Sequence, residues 1–410
     1  MKKIHYSILI CVATTLTFFS INGLACNAFS LYMPYVLKTY GITNTQSSSI
    51  LLTRSLFGFL STAVSGWYYR KFSLRTGMMA AGAMTTLGFI VYALAPDYAL
   101  ILFGSALTGI GYGLGATLPI SMMLNRWFRK DRNIALSVST MGSTFAMVGI
   151  PSLITWSVET NGLHVTFLVQ AIVIGVTVLI CFLIFRNDPS ELGLTAYGAG
   201  SAENSAEAAV SARSGSRIIT RGDWCWLIPA LLFLGAVANP GYNHLSVFLT
   251  GEGFRPETIA IAFSIGSVCA SAGKLLFGWI ADRFSTYYCN YIYGFLAVTG
   301  LAVLCISRSS AGLYLGMAAF VIGISIAMTG PAAWSGDLSA PEQFDRTIQR
   351  FQKMYTLGSL IFTLMPGMIA DRCGGSYLPA YWIFLVFTVY LISAVQRQYI
   401  KSSRERLSQY

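Results

Sequence analysis

Charge is what this chain has least of. Only 10% of its 410 residues are Asp, Glu, Lys or Arg, against roughly a quarter in a soluble globular protein. Acids are scarcer still, 16 against 27 basic residues, and there are three histidines. No acidic residue falls inside the long apolar runs, so a proton relay built on buried carboxylates has nothing to stand on. The eight cysteines are scattered without metal-ligand spacing and read as small core residues. There is no P-loop, and no constellation of nucleophile, base or metal ligands, so ATP-driven chemistry and enzymatic catalysis are both set aside and no cofactor is expected. The alternating ten-residue segments of a membrane β-barrel are also missing.

What the chain has is apolar length: 55% of it is hydrophobic. Stretches near 20 residues, enough to cross a hydrocarbon core of about 30 Å, recur from end to end. Twelve spans are predicted, near 7–32, 46–69, 75–95, 99–125, 133–157, 163–185, 224–250, 257–281, 287–307, 311–334, 350–371 and 378–400. The one long hydrophilic interruption holds a low-complexity stretch from Gly198 to Ser216 and reads as a flexible linker. The expected organisation is an all-α membrane protein: a six-helix bundle over 1–187, a cytoplasmic linker over 188–223 and a second six-helix bundle over 224–410.

The net charge of +11 is explained by topology rather than by nucleic acid. With a cytoplasmic N-terminus, the outer segments carry only Lys38, Arg255, Arg308 and Arg372, and nearly all other basic residues are inside. That bias orients the chain by the positive-inside rule, with both termini cytoplasmic, in the inner membrane of a bacterium. Met1-Lys2-Lys3 followed by an apolar run and Gly23-Leu24-Ala25-Cys26 has the look of a lipoprotein signal, but the apolar run continues to Tyr35 and the charge count needs a first span.

Two cations break the apolar pattern: Arg54 in the second span and Lys274 in the eighth. Charge at a bilayer centre costs on the order of 2.5–3.5 kcal/mol on insertion scales, and so commonly marks function. Both spans run into one signature, Gly66-Trp67-Tyr68-Tyr69-Arg70-Lys71-Phe72-Ser73 and Gly278-Trp279-Ile280-Ala281-Asp282-Arg283-Phe284-Ser285, half a chain apart. In each copy the Gly is expected to end the helix and let a neighbour approach, ahead of a charged turn that locks a gate. This duplicated turn resembles the loop between the second and third spans of the major facilitator superfamily, although Tyr69 or Arg70 stands where the first copy's acid belongs. The run Thr108-Gly109-Ile110-Gly111-Tyr112-Gly113-Leu114-Gly115 lies inside an apolar helix, so it is a helix-packing face on which the fourth span could slide, not a dinucleotide loop.

Three further segments narrow the resemblance. Asn125-Arg126-Trp127-Phe128-Arg129-Lys130-Asp131-Arg132, then Asp188-Pro189-Ser190-Glu191-Leu192-Gly193-Leu194, then Pro366-Gly367-Met368-Ile369-Ala370-Asp371 are similar to the monocarboxylate and oxalate/formate branch of that superfamily. The resemblance implies two pseudo-symmetric six-helix bundles with a binding site near the midplane. It implies gating roles for Gly66, Arg70, Gly278, Asp282, Arg283, Arg126 and Arg132. It also places Lys274 where the branch has a substrate-binding Arg, which keeps the charge and loses the planar fork. Ala270 stands where proton-coupled members carry an Asp, Asn27 or Ala28 where some carry a Lys, and Lys353 lies only at the start of the eleventh span.

From the residues themselves, Arg54 and Lys274 either bind a solute or snorkel to the nearest interface. Counted from the duplicated Gly, their depths differ by about 12 Å at 1.5 Å per residue. Asn239-Pro240-Gly241-Tyr242-Asn243-His244 should break the seventh helix and free carbonyls, with Asn243 and His244 as binding candidates. Tyr32, Tyr35, Tyr112, Trp334 and Tyr355 could wall a small site, or belong to the interfacial aromatic belt. The expectation is a monomeric secondary carrier of small monocarboxylate-like anions working by alternating access, with a coupled proton or counter-anion as symporter or antiporter. Alternatives are an efflux carrier for amphiphilic compounds and a transporter-like sensor.

Overall fold

The computed structural model describes residues 6–129, 132–198, 219–340 and 343–407. Every predicted span is helical. In chain order the helices are α1 (Tyr6–Tyr40), α2 (Asn44–Lys71), α3 (Leu74–Leu94), α4 (Tyr98–Trp127), α5 (Arg132–Asn161), α6 (Leu163–Ile184), α7 (Arg221–Gly241, resuming over Leu245–Gly251), α8 (Pro256–Arg283), α9 (Thr286–Ile306), α10 (Ser310–Leu338), α11 (Phe344–Phe362, resuming over Met365–Arg372) and α12 (Leu378–Leu407). Among the described residues, ten of these helices are long and apolar enough to cross a membrane. The two that fall short are α2, which carries a polar first turn and basic last turn around Arg54, and α11, which is interrupted at Thr363.

The chain separates into two compact units, Met1–Ala202 and Glu203–Tyr410. The low-complexity part of the linker, 199–218, lies outside the described residues.

In the first unit, α4 is the central strut, in contact with α2, α3 and the winding defect of α1. Its glycines make this possible on two opposite faces. A Cβ at Gly109 would sit 2.4 Å from the Arg54 carbonyl oxygen of α2, and one at Gly113 2.3 Å from that of Gly58. On the far face, a Cβ at Gly111 would meet Thr85 Oγ1 of α3 at 2.1 Å. The expected sliding face is therefore two interlocked backbone contacts, because residues two apart on a helix point nearly opposite ways. In the second unit the same device recurs between α9 and α10, where a Cβ at Gly323 would lie 2.3 Å from Ala297 N. Helix starts are capped: Thr43 with Gln46, and Thr220 with Asp223, each form reciprocal capping boxes. Leu183, Ile172, Trp156, Phe295 and Leu315 stay exposed on the apolar helices, as lipid contact requires.

Two expectations about the duplicated signature are corrected here. Gly66 does not end α2, which runs to Lys71, and Gly278 does not end α8, which runs to Arg283. Their backbones stay helical, and each helix closes on the next turn instead, through Phe72 N–H to Tyr68 O and Phe284 N–H to Ile280 O, both 2.9 Å. Nor does either glycine admit a close neighbour, since a Cβ there would meet nothing within 4 Å. What the copies do share is a cation over a tryptophan one turn back: Lys71 lies 5.7 Å from the Trp67 ring centre and Arg283 5.8 Å from that of Trp279. The seventh span is broken as predicted. Its form is a π-turn over Val237–Gly241, and α1 carries a longer π-segment over Phe18–Asn27 that runs into a 3₁₀ turn over Ala28–Tyr32.

Candidate functional site

Arg54 is the buried charge among the described residues of the first unit. It faces inward from α2 and is only 6% exposed. Its Nη1 donates to the Ala25 carbonyl at 3.3 Å, and its guanidinium carbon lies 5.0 Å from the centre of the Phe29 ring. Both partners come from the irregular part of α1, where the winding changes from π to 3₁₀ between Asn27 and Ala28. Such defects bring backbone groups to places a regular helix hides them, and they are frequent at functional sites.

The floor under Arg54 is rigid. Phe29 packs on Tyr92 at 5.2 Å and on Phe167 at 6.4 Å between ring centres. Tyr92 bonds to Ser105 at 2.8 Å. Tyr32 packs on Phe167 at 4.6 Å, and its hydroxyl donates to Gln170, whose amide donates in turn to Leu24 O at 2.7 Å. Tyr112 belongs to the same region, because its ring lies 3.3 Å from the Cβ direction of Gly58, one turn after Arg54.

The electrostatics are decided by what Arg54 lacks. A guanidinium has five N–H donors and suits planar, two-pronged acceptors. Among the described residues the ion pairs are Arg126–Asp188 at 3.0 Å, Arg308–Glu252 at 2.5 Å and Lys401–Asp223 at 2.9 Å, and none includes Arg54 or Lys274. One carbonyl at the long end of hydrogen-bond range and one aromatic face hold Arg54 in place without neutralising it. None of its nitrogens is sealed without a partner, so the free N–H groups keep an accessible side.

In the second unit Lys274 is half-buried on α8, with no hydrogen bond or ion pair to it among the described residues. The adjoining Gly273 carbonyl accepts from the Tyr293 hydroxyl, which ties α8 to α9. Asn243 is half-buried. His244 is fully buried, its Nδ1 2.9 Å from Pro240 O, with its ring 6.0 Å from that of Tyr377. Gly241 O, freed by the π-turn, accepts from the Tyr381 hydroxyl at 2.7 Å. Trp334 is buried and donates from Nε1 to Asn290 Oδ1 at 2.8 Å. In the first unit Tyr35 sits beyond the predicted end of the first span, in the last part of α1, where it donates to Glu159 at 3.3 Å.

The structure thus sets the Tyr112 ring against Gly58, one turn from Arg54, puts Tyr32 in the cluster under Phe29, and leaves Tyr35 near the end of α1. Of the gating candidates, Arg70 and Arg283 are exposed, and Arg126 is bonded to Asp188. The side chains of Arg132 and Asp282 lie outside the described residues. Sequence reasoning missed Phe29 and Ala25, whose only signal was Asn22-Gly23 inside an apolar run. Asn239, part of the predicted seventh-span break, donates to the Tyr355 hydroxyl at 2.9 Å; the tie made by Tyr69 was missed. The Tyr69 hydroxyl donates to Leu114 O at 2.5 Å, beside the break in α4 at Ala116.

Comparison with known proteins gives this geometry a family. The chain is 23% identical over 396 residues to the hexuronate transporter of Escherichia coli, covering 92% of this chain and 90% of that one. It is 20% identical over 359 residues to human monocarboxylate transporter 11, covering 86% and 69%. It spans 32% and 62% of the length of the first two curated relatives it matches. Among solved structures, the nucleoside transporter NupG superposes with a TM-score of 0.73 at 14% identity, covering 97% of this chain and 99% of that one. At that identity the likeness shows the fold alone. The sequence pattern of the Major Facilitator Superfamily matches residues 13–343, and the chain belongs to that superfamily of multi-pass membrane transporters.

Proposed function

We propose that this transporter is a secondary carrier of small organic anions, working by alternating access, and that Arg54 is the group that binds the anionic end of its solute. One observation carries the reading: a buried guanidinium in an apolar helix, held by a carbonyl and an aromatic ring and paired with no carboxylate among the described residues. A carboxylate would complete it. It accepts two parallel N–H bonds from a guanidinium, each stronger than a neutral bond, and it removes the net charge from the apolar surroundings. Lys274 supplies a second, point-like positive charge in the other unit. The hexuronate and monocarboxylate relatives support the same class, since both named solutes are organic acids. The orientation that suits this carrier puts both termini and the linker in the cytoplasm.

The test is uptake into proteoliposomes of a panel of labelled mono- and dicarboxylates, hexuronates and uncharged nucleosides. Arg54→Gln and Arg54→Lys are each expected to lower kcat/KM for the accepted acid at least tenfold, about 1.4 kcal/mol of lost binding. The lysine variant should fail despite its charge, because it lacks the fork. Transport confined to nucleosides, or acid uptake unchanged in Arg54→Gln, would overturn the assignment.

A further inference from the structure

A second basic surface lies where α7 begins and α12 ends, in the second unit. Arg397 is exposed on α12, and its guanidinium carbon stands 4.2 Å over the ring centre of Trp226 on α7. Trp226 stacks in turn on Tyr390 at 6.1 Å, and below it Tyr390, Phe233 and Phe387 continue as an aromatic seam, Phe233 on Phe387 at 3.9 Å. Among the described residues the acids bonded at these helix ends already have partners: Asp223 is 3% exposed and accepts from Lys401 at 2.9 Å, Thr220 N at 3.0 Å and Thr220 Oγ1 at 2.7 Å, and Asp337 accepts from the Tyr399 hydroxyl at 2.8 Å. Arg397 has no ion pair among the described residues, and Arg221 is exposed in the first turn of α7. One turn and two turns inward from Ser393, the same face of α12 presents Val389 and Val386, 45% and 63% exposed.

A surplus of guanidinium charge over a tryptophan at a helix end, above an exposed aliphatic strip, matches one amphiphile. We propose that the α7–α12 seam binds an anionic phospholipid, with its phosphate against Arg397 and its acyl chain along Val389 and Val386. Basic clusters between transmembrane helices recognise such headgroups, and tryptophan favours the same depth. The contact with Trp226 holds the Arg397 guanidinium at one place on the seam, so the proposed recognition is local and not a general pull of the basic face.

Native mass spectrometry of the full chain in detergent, with phosphatidylglycerol or phosphatidylcholine added, tests this. The unmodified protein is expected to retain phosphatidylglycerol at least fivefold over phosphatidylcholine. Arg397→Gln should reduce that preference to near one. Arg397→Lys, which keeps the charge, should retain a part of it, and shows that the site is folded. Arg186→Gln is the control, because that guanidinium is already bonded to the Leu183 and Phe185 carbonyls at 2.9 Å, and it should change nothing. An unaltered preference in Arg397→Gln, an equal loss in Arg186→Gln, or displacement of the lipid by inorganic phosphate at equal concentration would overturn the proposal.

Discussion

At the scale of single residues, the account turns on how Arg54 is held. Its stabilisation comes from a cation–π contact worth up to about 2 kcal/mol when desolvated and one weak charged hydrogen bond. Replacing Phe29 by Leu removes the first and leaves the second. Anion affinity in Phe29→Leu is expected to fall a few-fold with the fold intact, because Leu keeps most of the apolar volume, and equilibrium binding alongside a melting curve checks it. The sequence exposed Arg54 as an anomaly but could not supply Phe29, which lies 25 positions away on a helix whose winding changes. It offered binding candidates on the strength of polar or aromatic character in apolar runs. That signal cannot tell a side chain aimed into open space from one that closes a core contact, as Trp334 does on Asn290.

At the scale of helices, the helical segments were readable from their apolar runs, because a membrane leaves helices as the main way to satisfy the backbone, although α1 and α12 extend well past their predicted ends. The duplicated signature was found for the right repeat and misread for its glycines. Gly66 stands in open space and Gly109 against a backbone carbonyl, and composition alone makes the two alike. They should respond oppositely to the same change. Gly66→Ala is expected to be neutral or to stabilise by about 0.5–1 kcal/mol through helix entropy. Gly109→Ala forces α2 and α4 apart and should cost about 1–3 kcal/mol, with anion transport reduced because Arg54 moves with α2. Thermal unfolding of both variants in one detergent decides this. Tyr69→Phe leaves the Leu114 carbonyl without its hydroxyl partner at the α4 break, at a cost of about 1–3 kcal/mol. Its melting curve should fall below that of Tyr68→Phe, whose bond to Gly77 O is longer, 3.2 Å.

At the scale of the whole molecule, the proposed orientation, with both termini cytoplasmic, rests on the scarcity of charge and on where the basic residues fall. Single cysteines in a cysteine-free background test it. An impermeant maleimide added to intact cells should label Lys38→Cys, Asn161→Cys and Arg308→Cys, and spare Lys71→Cys and Asn187→Cys. The reverse pattern would invert the chain. The resemblance to a carrier branch was legible from a few ordered motifs and the superfamily is now shown, while the solute is not written in any of them. Relatives named for hexuronate, monocarboxylates and nucleosides share the scaffold, so the chemistry of the solute rests on particular side chains. The most direct measurement is calorimetric binding of the best transported acid and of its uncharged amide to the purified chain and to Arg54→Gln. The account predicts that the acid binds, the amide does not, and the variant binds neither. Equal binding of acid and amide, or undiminished binding of the acid by Arg54→Gln, would contradict it.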